Sequence, residues 1–177
     1  MQTTTAENGQ LLREFSTAAD TFIRTLSRVP EAAFNTAPFE GSWSPAQVGD
    51  HVLKFLSGIK GALALPQAEP GRAPDAHEPL LREIFLNFER KAKAPAIVAP
   101  SDETIHKDAL MHALKGTSEI LGTQIGEGNL LLLCEGAPFP TIGDMTGLEW
   151  VLFGTYHLQR HTRQLVQMQS HSNTASA

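Results

Sequence analysis

Residues 146–168 read TGLEWVLFGTYHLQRHTRQLVQM, and this stretch decides the fold. Its apolar side chains recur at the spacing of a single helix face, and His157 and His161 share that face. Thr146 and Glu149 have the spacing of a capping box, which predicts that the helix begins beside them. The two histidines are therefore expected near the middle of the face that this helix buries.

Three further segments have helical spacing of apolar residues, and prolines or glycines separate them. They are residues 8–28, a helix that Ser44 and Pro45 begin and Pro66 ends, and residues 104–125. A shorter helix is predicted after the cap pattern Asp75 to Glu78. No segment shows convincing strand alternation, and Leu130–Leu133 is at most a short strand. The sequence thus predicts an all-α protein, a four-helix bundle core with a short extra helix.

Length and composition favour one soluble domain. The chain has 177 residues, of which 41% are hydrophobic and 19% charged, so we expect a single helical-bundle domain over residues 1–168. The polar residues 169–177 are expected to form a disordered tail. The stretch from 66 to about 103 is long enough for a crossover, so the order of helix directions stays open.

Charge and hydropathy exclude several partners. With a net charge of −5, we expect no basic surface that would bind the phosphates of nucleic acid. No run approaches the roughly 20 apolar residues that span a bilayer, so no membrane partner is expected. The first residues lack the pattern of a signal peptide, which predicts a cytoplasmic protein. The single cysteine, Cys134, excludes an intrachain disulfide and is interpreted as a small apolar residue.

The histidines carry the chemistry that the sequence offers. His157 and His161 are four residues apart, a spacing at which two imidazoles can share one ion at distances near 2.0–2.1 Å. His51 lies at the margin of the apolar face of the second helix and is the natural third ligand. The alternative is that these are core histidines that hydrogen bond to neighbours. Three histidines around one ion would leave coordination positions open, as in a catalytic site.

Three more residues are candidates for the pocket, and no catalytic side chain is assigned. Gln164 follows His161 by one turn and can line the pocket or bond the outer nitrogen of a ligating histidine. Trp150 is interpreted as a core residue with a possible stacking role. Asp50 adjoins His51 but points about 100° away around the helix.

Two stretches of the sequence resemble one known family. The residues concerned are Trp43-Ser44-Pro45 and His51, and then Pro138, Gly143, Thr146, Glu149-Trp150, Phe153, Tyr156-His157, Arg160-His161 and Gln164. This pattern is similar to that of the DinB-like (DinB/YfiT) superfamily, whose members include metalloenzymes.

The resemblance implies a four-helix bundle, often a homodimer. It also implies a divalent metal ion, commonly nickel or zinc, on His51, His157 and His161. The proline-rich segment 66–79 is longer than in compact relatives, so the outer wall of the pocket is expected to differ.

Three functions remain in competition. The resemblance allows a thiol S-transferase, in which a metal-activated low-molecular-weight thiol attacks an electrophilic small molecule. It also allows a metal-dependent hydrolase that uses metal-bound hydroxide. The sequence His-Leu-Gln-Arg-His lacks the glutamate of His-Glu-x-x-His, which favours the transferase over the hydrolase. The third possibility is a non-catalytic helical dimer or a small-molecule binding protein with a vestigial site.

A homodimer is expected on one further ground. The last helix carries Leu148, Leu152 and Tyr156 outside its main apolar face, so a second apolar surface is predicted there.

Overall fold

The long helices form where the periodicity of the sequence predicts them. A computed structural model describes residues 5–89 and 94–174 and confirms the all-α class. The helices are α1 (Thr5–Ser27), α2 (Glu31–Phe34), α3 (Pro45–Ala62), α4 (Glu78–Leu86), α5 (Lys107–Glu127) and α6 (Gly147–Thr174). A 3-10 turn covers Ala96–Val98, and the short strands β1 (Gln67–Ala68) and β2 (Leu133–Cys134) pair antiparallel.

Two capping boxes begin the helices that carry the candidate site. Ser44 Oγ accepts the backbone N–H of Gln47, and the Gln47 side chain accepts the N–H of Ser44 in return. At α6, the N–H of Thr146 donates to Glu149 Oε2 over 3.0 Å, and the N–H of Glu149 donates to Thr146 Oγ1 over 3.1 Å. These reciprocal bonds satisfy orphan donors and fix where α3 and α6 begin.

Besides shifts of a few residues at other helix ends, three features of the helices differ from the sequence prediction. The cap of α4 is His77, which makes no side-chain capping bond, so the assignment of the cap to Asp75 was wrong. The one-turn helix α2 was not predicted, because four residues are too few to show a period. Helix α6 continues to Thr174, beyond the boundary placed at 168, and residues 175–177 lie outside the described residues.

Contacts along the helices fix their directions, which the sequence left open. The Asn8 side chain, near the start of α1, donates to the carbonyl of Gly128, just after the end of α5. Lys107, at the start of α5, donates to the carbonyl of Val29, just after the end of α1. Helices α1 and α5 are therefore antiparallel. In contrast, the Gln124 side chain donates to the carbonyl of Lys60, and this bond joins the C-terminal turns of α5 and α3. These two helices are therefore parallel.

Helix α6 completes the order. The positions of Phe15 beside Gly154, and of Thr25 beside Gln169, show that α6 is parallel to α1 and therefore antiparallel to α3. The connection between α3 and α5 is thus a crossover.

The core fills the space between the four long helices. Its largest fully buried side chains include Phe15 and Phe22 from α1, Leu56 from α3 and Leu121 from α5. Each such side chain contributes about 1.5–3 kcal/mol of burial free energy. Within the described residues, every helix falls short of the length and hydropathy that a membrane span requires.

Candidate metal centre

The antiparallel packing of α3 against α6 brings His51, His157 and His161 together. One potential ligand atom from each residue lies within 4.8 Å of the other two. The Nε2 atoms of His51 and His157 are 3.5 Å apart. Two nitrogens bound tetrahedrally to one ion at 2.0–2.1 Å would be about 3.4 Å apart. The cluster therefore fits a single small divalent cation.

Hydrogen bonds orient two of the three rings. The Nδ1–H of His51 donates to the carbonyl oxygen of Val98 over 2.7 Å. The Nδ1–H of His161 donates to Oε1 of Gln164, also over 2.7 Å. Both bonds place the ring hydrogen on Nδ1 and leave the Nε2 lone pair free, which is the arrangement that a metal ligand needs.

Within the histidine cluster, two buried ring nitrogens have no hydrogen-bond partner among the described residues. They are Nε2 of His161 and Nδ1 of His157. Each buried polar atom without a partner lowers the stability of the fold by about 1–3 kcal/mol, so a further partner for these nitrogens would stabilise the folded state. A cation would satisfy Nε2 of His161 directly, and the donor set fits one.

Burial keeps the three imidazoles neutral. Burial, together with a smaller contribution from the neighbouring His51, lowers the pKa of His161 to about 3. Burial also brings the pKa of His157 well below its ordinary value, with added contributions from the other two histidines. For His51 burial again lowers the pKa, which the bond to Val98 partly offsets. All three rings are therefore in the protonation state that binds metal.

Aromatic side chains surround His157. The Phe55 ring stacks on it with a centroid distance of 4.3 Å, and the rings of Phe85 and Phe153 lie at 4.7 and 5.1 Å. On the other side of the cluster, Trp43 contacts His51 at 5.1 Å. This wall is apolar, so it lowers the local dielectric and limits access of water to the histidines.

Asp50 supports the site indirectly. It does not join the histidine cluster; its Oδ2 accepts the N–H of Ser101 over 2.8 Å and pairs with Lys54 Nζ at 2.9 Å. Lys54 also donates to the carbonyl of Ala99. These contacts hold residues 98–101, which we call the strap, against α3. Because the strap carries the Val98 carbonyl, it helps to orient His51.

Trp150 lies next to the phenylalanines that surround His157, and in the described part of the chain its ring contacts are with phenylalanines and not with the histidines. Its ring contacts Phe139 and Phe153, each at 5.9 Å. Trp150 is 9% exposed, and its Nε1 has no hydrogen-bond partner in the described part of the chain. It is thus a neighbour of the wall, and a direct role at the centre stays a prediction.

The surface expected to form a dimer is less exposed than the sequence suggested. Tyr156 is buried, and its hydroxyl donates to Glu78 Oε1 over 2.6 Å and accepts a bond from Arg82. Leu148 and Leu152 are partly buried against the core. The homodimer therefore stays a prediction.

Glu149 has a second role that sequence reasoning missed. Its carboxylate is fully buried and receives two bonds from Arg72, of 2.8 and 2.7 Å, and one from the backbone N–H of His77. The proline-rich segment is thereby fixed to the first turn of α6, eight residues before His157. The capping pattern explained Glu149 completely at the sequence level, so nothing there indicated a distant arginine.

These features define a helical-bundle protein with a candidate three-histidine metal centre between two antiparallel helices. The sequence model of the DinB superfamily matches residues 14–165, and the chain belongs to this superfamily. No curated protein sequence and no solved structure has significant similarity to the chain.

Proposed function

We propose that the protein is a metal-dependent thiol S-transferase, with one nickel or zinc ion held by His51, His157 and His161. The observation that carries this proposal is the cluster of three neutral imidazoles with ligand atoms within 4.8 Å. When bound, such an ion makes a coordinated thiol deprotonate near neutral pH. The overall transfer would form a bond from the thiol sulfur to the electrophilic carbon and break the bond from that carbon to the leaving group, and the leaving group and the thiol proton would be released to solvent.

The residues of the chain divide the remaining work. Val98 and Gln164 accept the Nδ1 hydrogens of His51 and His161, so both rings are held before a ligand arrives. The ring of Phe55, stacked on His157, helps to exclude water that would otherwise compete with the thiol.

A feature of the cluster favours the transferase over a hydrolase. Within the described residues, the group of side chains that can hold a metal contains three histidines and no carboxylate. A hydrolase commonly uses a nearby carboxylate to move the proton of the attacking water. A thiolate attack has no such requirement.

A second candidate is a bundle whose histidine centre is structural or vestigial. Two cavities, of about 220 and 610 Å³, lie along α1, and neither is lined by a residue of the histidine cluster. Under this alternative, metal binding would raise stability without any reaction.

Metal content decides whether the centre exists. Protein purified without added metal is expected to carry about one ion per chain by plasma mass spectrometry, and His157→Ala is expected to lose it. His112→Ala, at an exposed position of α5, is the matched control. Wild-type protein that neither retains nor takes up a divalent ion would refute the proposal.

Activity separates the two candidates. Metal-loaded protein is incubated with a small thiol and a monohalobimane, and the fluorescent adduct is followed. The transferase predicts acceleration that His157→Ala removes and His112→Ala keeps. Stoichiometric metal with no acceleration by any common cellular thiol would favour the structural centre.

A further inference from the structure

We infer that the Phe85 side chain controls which ligands can reach the three histidines. Only a narrow ligand passes it, and the atoms next to the ligand's metal-binding atom must be uncharged. This inference rests on the proposed metal site and names the class of thiol that would reach it. His157 is half-buried, whereas His51 and His161 are only 2% and 6% exposed. His157 is therefore the member of the cluster that lies nearest to solvent, although its Nδ1 is itself buried.

Phe85 is an aromatic neighbour of His157 that also contacts solvent. Three phenylalanine rings lie within about 5 Å of the His157 ring. Phe55 and Phe153 are 3% and 5% exposed, whereas Phe85 is half-buried. Of the three, Phe85 is thus the one that faces both solvent and His157.

The backbone around Phe85 is fixed on α6. The Arg160 guanidinium donates to the carbonyl oxygens of Phe85 and Asn87, over 3.4 and 3.0 Å. At the other end of α4, Glu78 accepts the hydroxyl of Tyr156. Because α6 holds both ends, access to the histidines is controlled by rotation of the Phe85 side chain rather than by displacement of the helix.

The walls of this approach are apolar. The Phe85 ring packs edge-on against Phe153 at 4.9 Å and against Phe139 at 6.3 Å. A charged group beside the ligating atom would lose its hydration among these rings without gaining a partner. A branched group would meet the Phe85 ring. The thiol that fits is therefore unbranched at the carbon that bears sulfur, with any charge several atoms away.

Chemical labelling of the metal-free protein tests the gate without any metal. Diethyl pyrocarbonate modifies accessible neutral imidazoles, and mass spectrometry reports its rate at His157. Phe85→Ala is expected to raise this rate at least several-fold, and Phe85→Leu by less. Phe88→Ala is the matched control, because its ring is 40% exposed and lies under Arg163. Equal rates in folded wild type and Phe85→Ala would overturn the inference.

Ligand selection is measured on the cobalt-substituted protein by the absorption of the cobalt–thiolate bond. Wild type is expected to bind 2-mercaptoethanol and to reject 2-methyl-2-propanethiol, and Phe85→Ala is expected to accept both. Equal binding of the two thiols by wild type would overturn the inference. If no cobalt binds at all, the proposed function fails, while the labelling rates still decide whether Phe85 controls access.

Discussion

The Nδ1–H of His161 donates a hydrogen bond to Oε1 of Gln164 over 2.7 Å, one turn further along α6. The bond fixes the tautomer of a ring that is almost fully buried. It also directs Nε2 toward His51. The ring centroids of His51 and His161 are 4.8 Å apart. Gln164 therefore acts on the ion only through the orientation of His161.

Replacement of Gln164 by leucine is expected to weaken metal affinity by about 10- to 100-fold, as loss of an outer hydrogen bond to a ligating histidine typically does. Affinity is measured by competition with a chromophoric chelator. Gln159→Leu, at an exposed position of the same helix, should leave affinity unchanged. Equal affinities of Gln164→Leu and wild type would show that Gln164 does not orient the ring.

The sequence predicted what depends on local pattern. The i, i+4 spacing placed His157 and His161 on one face, and the capping boxes placed the starts of α3 and α6. These signals are local because helix periodicity and caps involve residues within one or two turns.

Contacts between distant segments could not be predicted. The bond from His51 to Val98 joins residues 47 positions apart, and that from Arg72 to Glu149 joins residues 77 positions apart. Neither Val98 nor Arg72 belongs to a recognisable motif, since a backbone carbonyl and a loop arginine have no periodic signature. The sequence places Asp50 beside His51, but the contacts of Asp50 with the strap appear only in the folded chain.

Asp50→Ala is expected to separate site geometry from stability. The Asp50–Lys54 pair is partly exposed, so its loss should change the free energy of unfolding by less than about 1 kcal/mol. Metal should nonetheless dissociate faster, because the strap that carries the Val98 carbonyl loses the acceptor for Ser101. Stopped-flow chelation measures the rate, with Asp20→Ala as the exposed control. An unchanged rate would mean that Val98 is positioned without Asp50.

Replacement of two α3 glycines by alanine should change the free energy of unfolding in opposite directions. A Cβ at Gly49 would lie 2.7 Å from Leu110 Cδ2 and 2.8 Å from Leu26 Cδ2, whereas Gly58 has no atom within 4 Å of that position. Overpacking costs about 1–3 kcal/mol, and alanine gains about 1 kcal/mol of helix propensity. Urea unfolding should therefore show Gly58→Ala stabilised and Gly49→Ala destabilised. Stabilisation of both would mean that the two leucines yield without cost.

Cys134 is expected to be inert. It is fully buried, and burial together with the nearby Asp144 carboxylate raises the pKa of its thiol to about 11. Ellman's reagent should thus react slowly with native protein at pH 8 and rapidly after denaturation. Cys134→Ala should retain any thiol transfer, because the reacting thiol comes from solution. Loss of transfer in a folded, metal-loaded Cys134→Ala would instead place the reacting sulfur on the chain.

The Arg72–Glu149 pair should make stability depend on pH in the acid range. Burial by itself would raise the pKa of Glu149, but the bonds from Arg72, Thr146 and His77 outweigh it, so the pKa lies below its ordinary value. The folded state then favours the carboxylate, and this contribution is fully present above the unfolded pKa of about 4.3. It is lost as pH falls through the lower, folded pKa.

Arg72→Met leaves the buried carboxylate without its cation, which should cost about 3–5 kcal/mol near neutral pH. The cost should shrink below about pH 4, where Glu149 takes up a proton in the variant. Urea unfolding of wild type and variant at pH 7 and pH 3.5 gives the two differences. Glu103→Gln, at an exposed position, is the control for general effects of carboxylate removal. A difference that stays constant across this range would show that Arg72 stabilises the fold through packing rather than through the charge of Glu149.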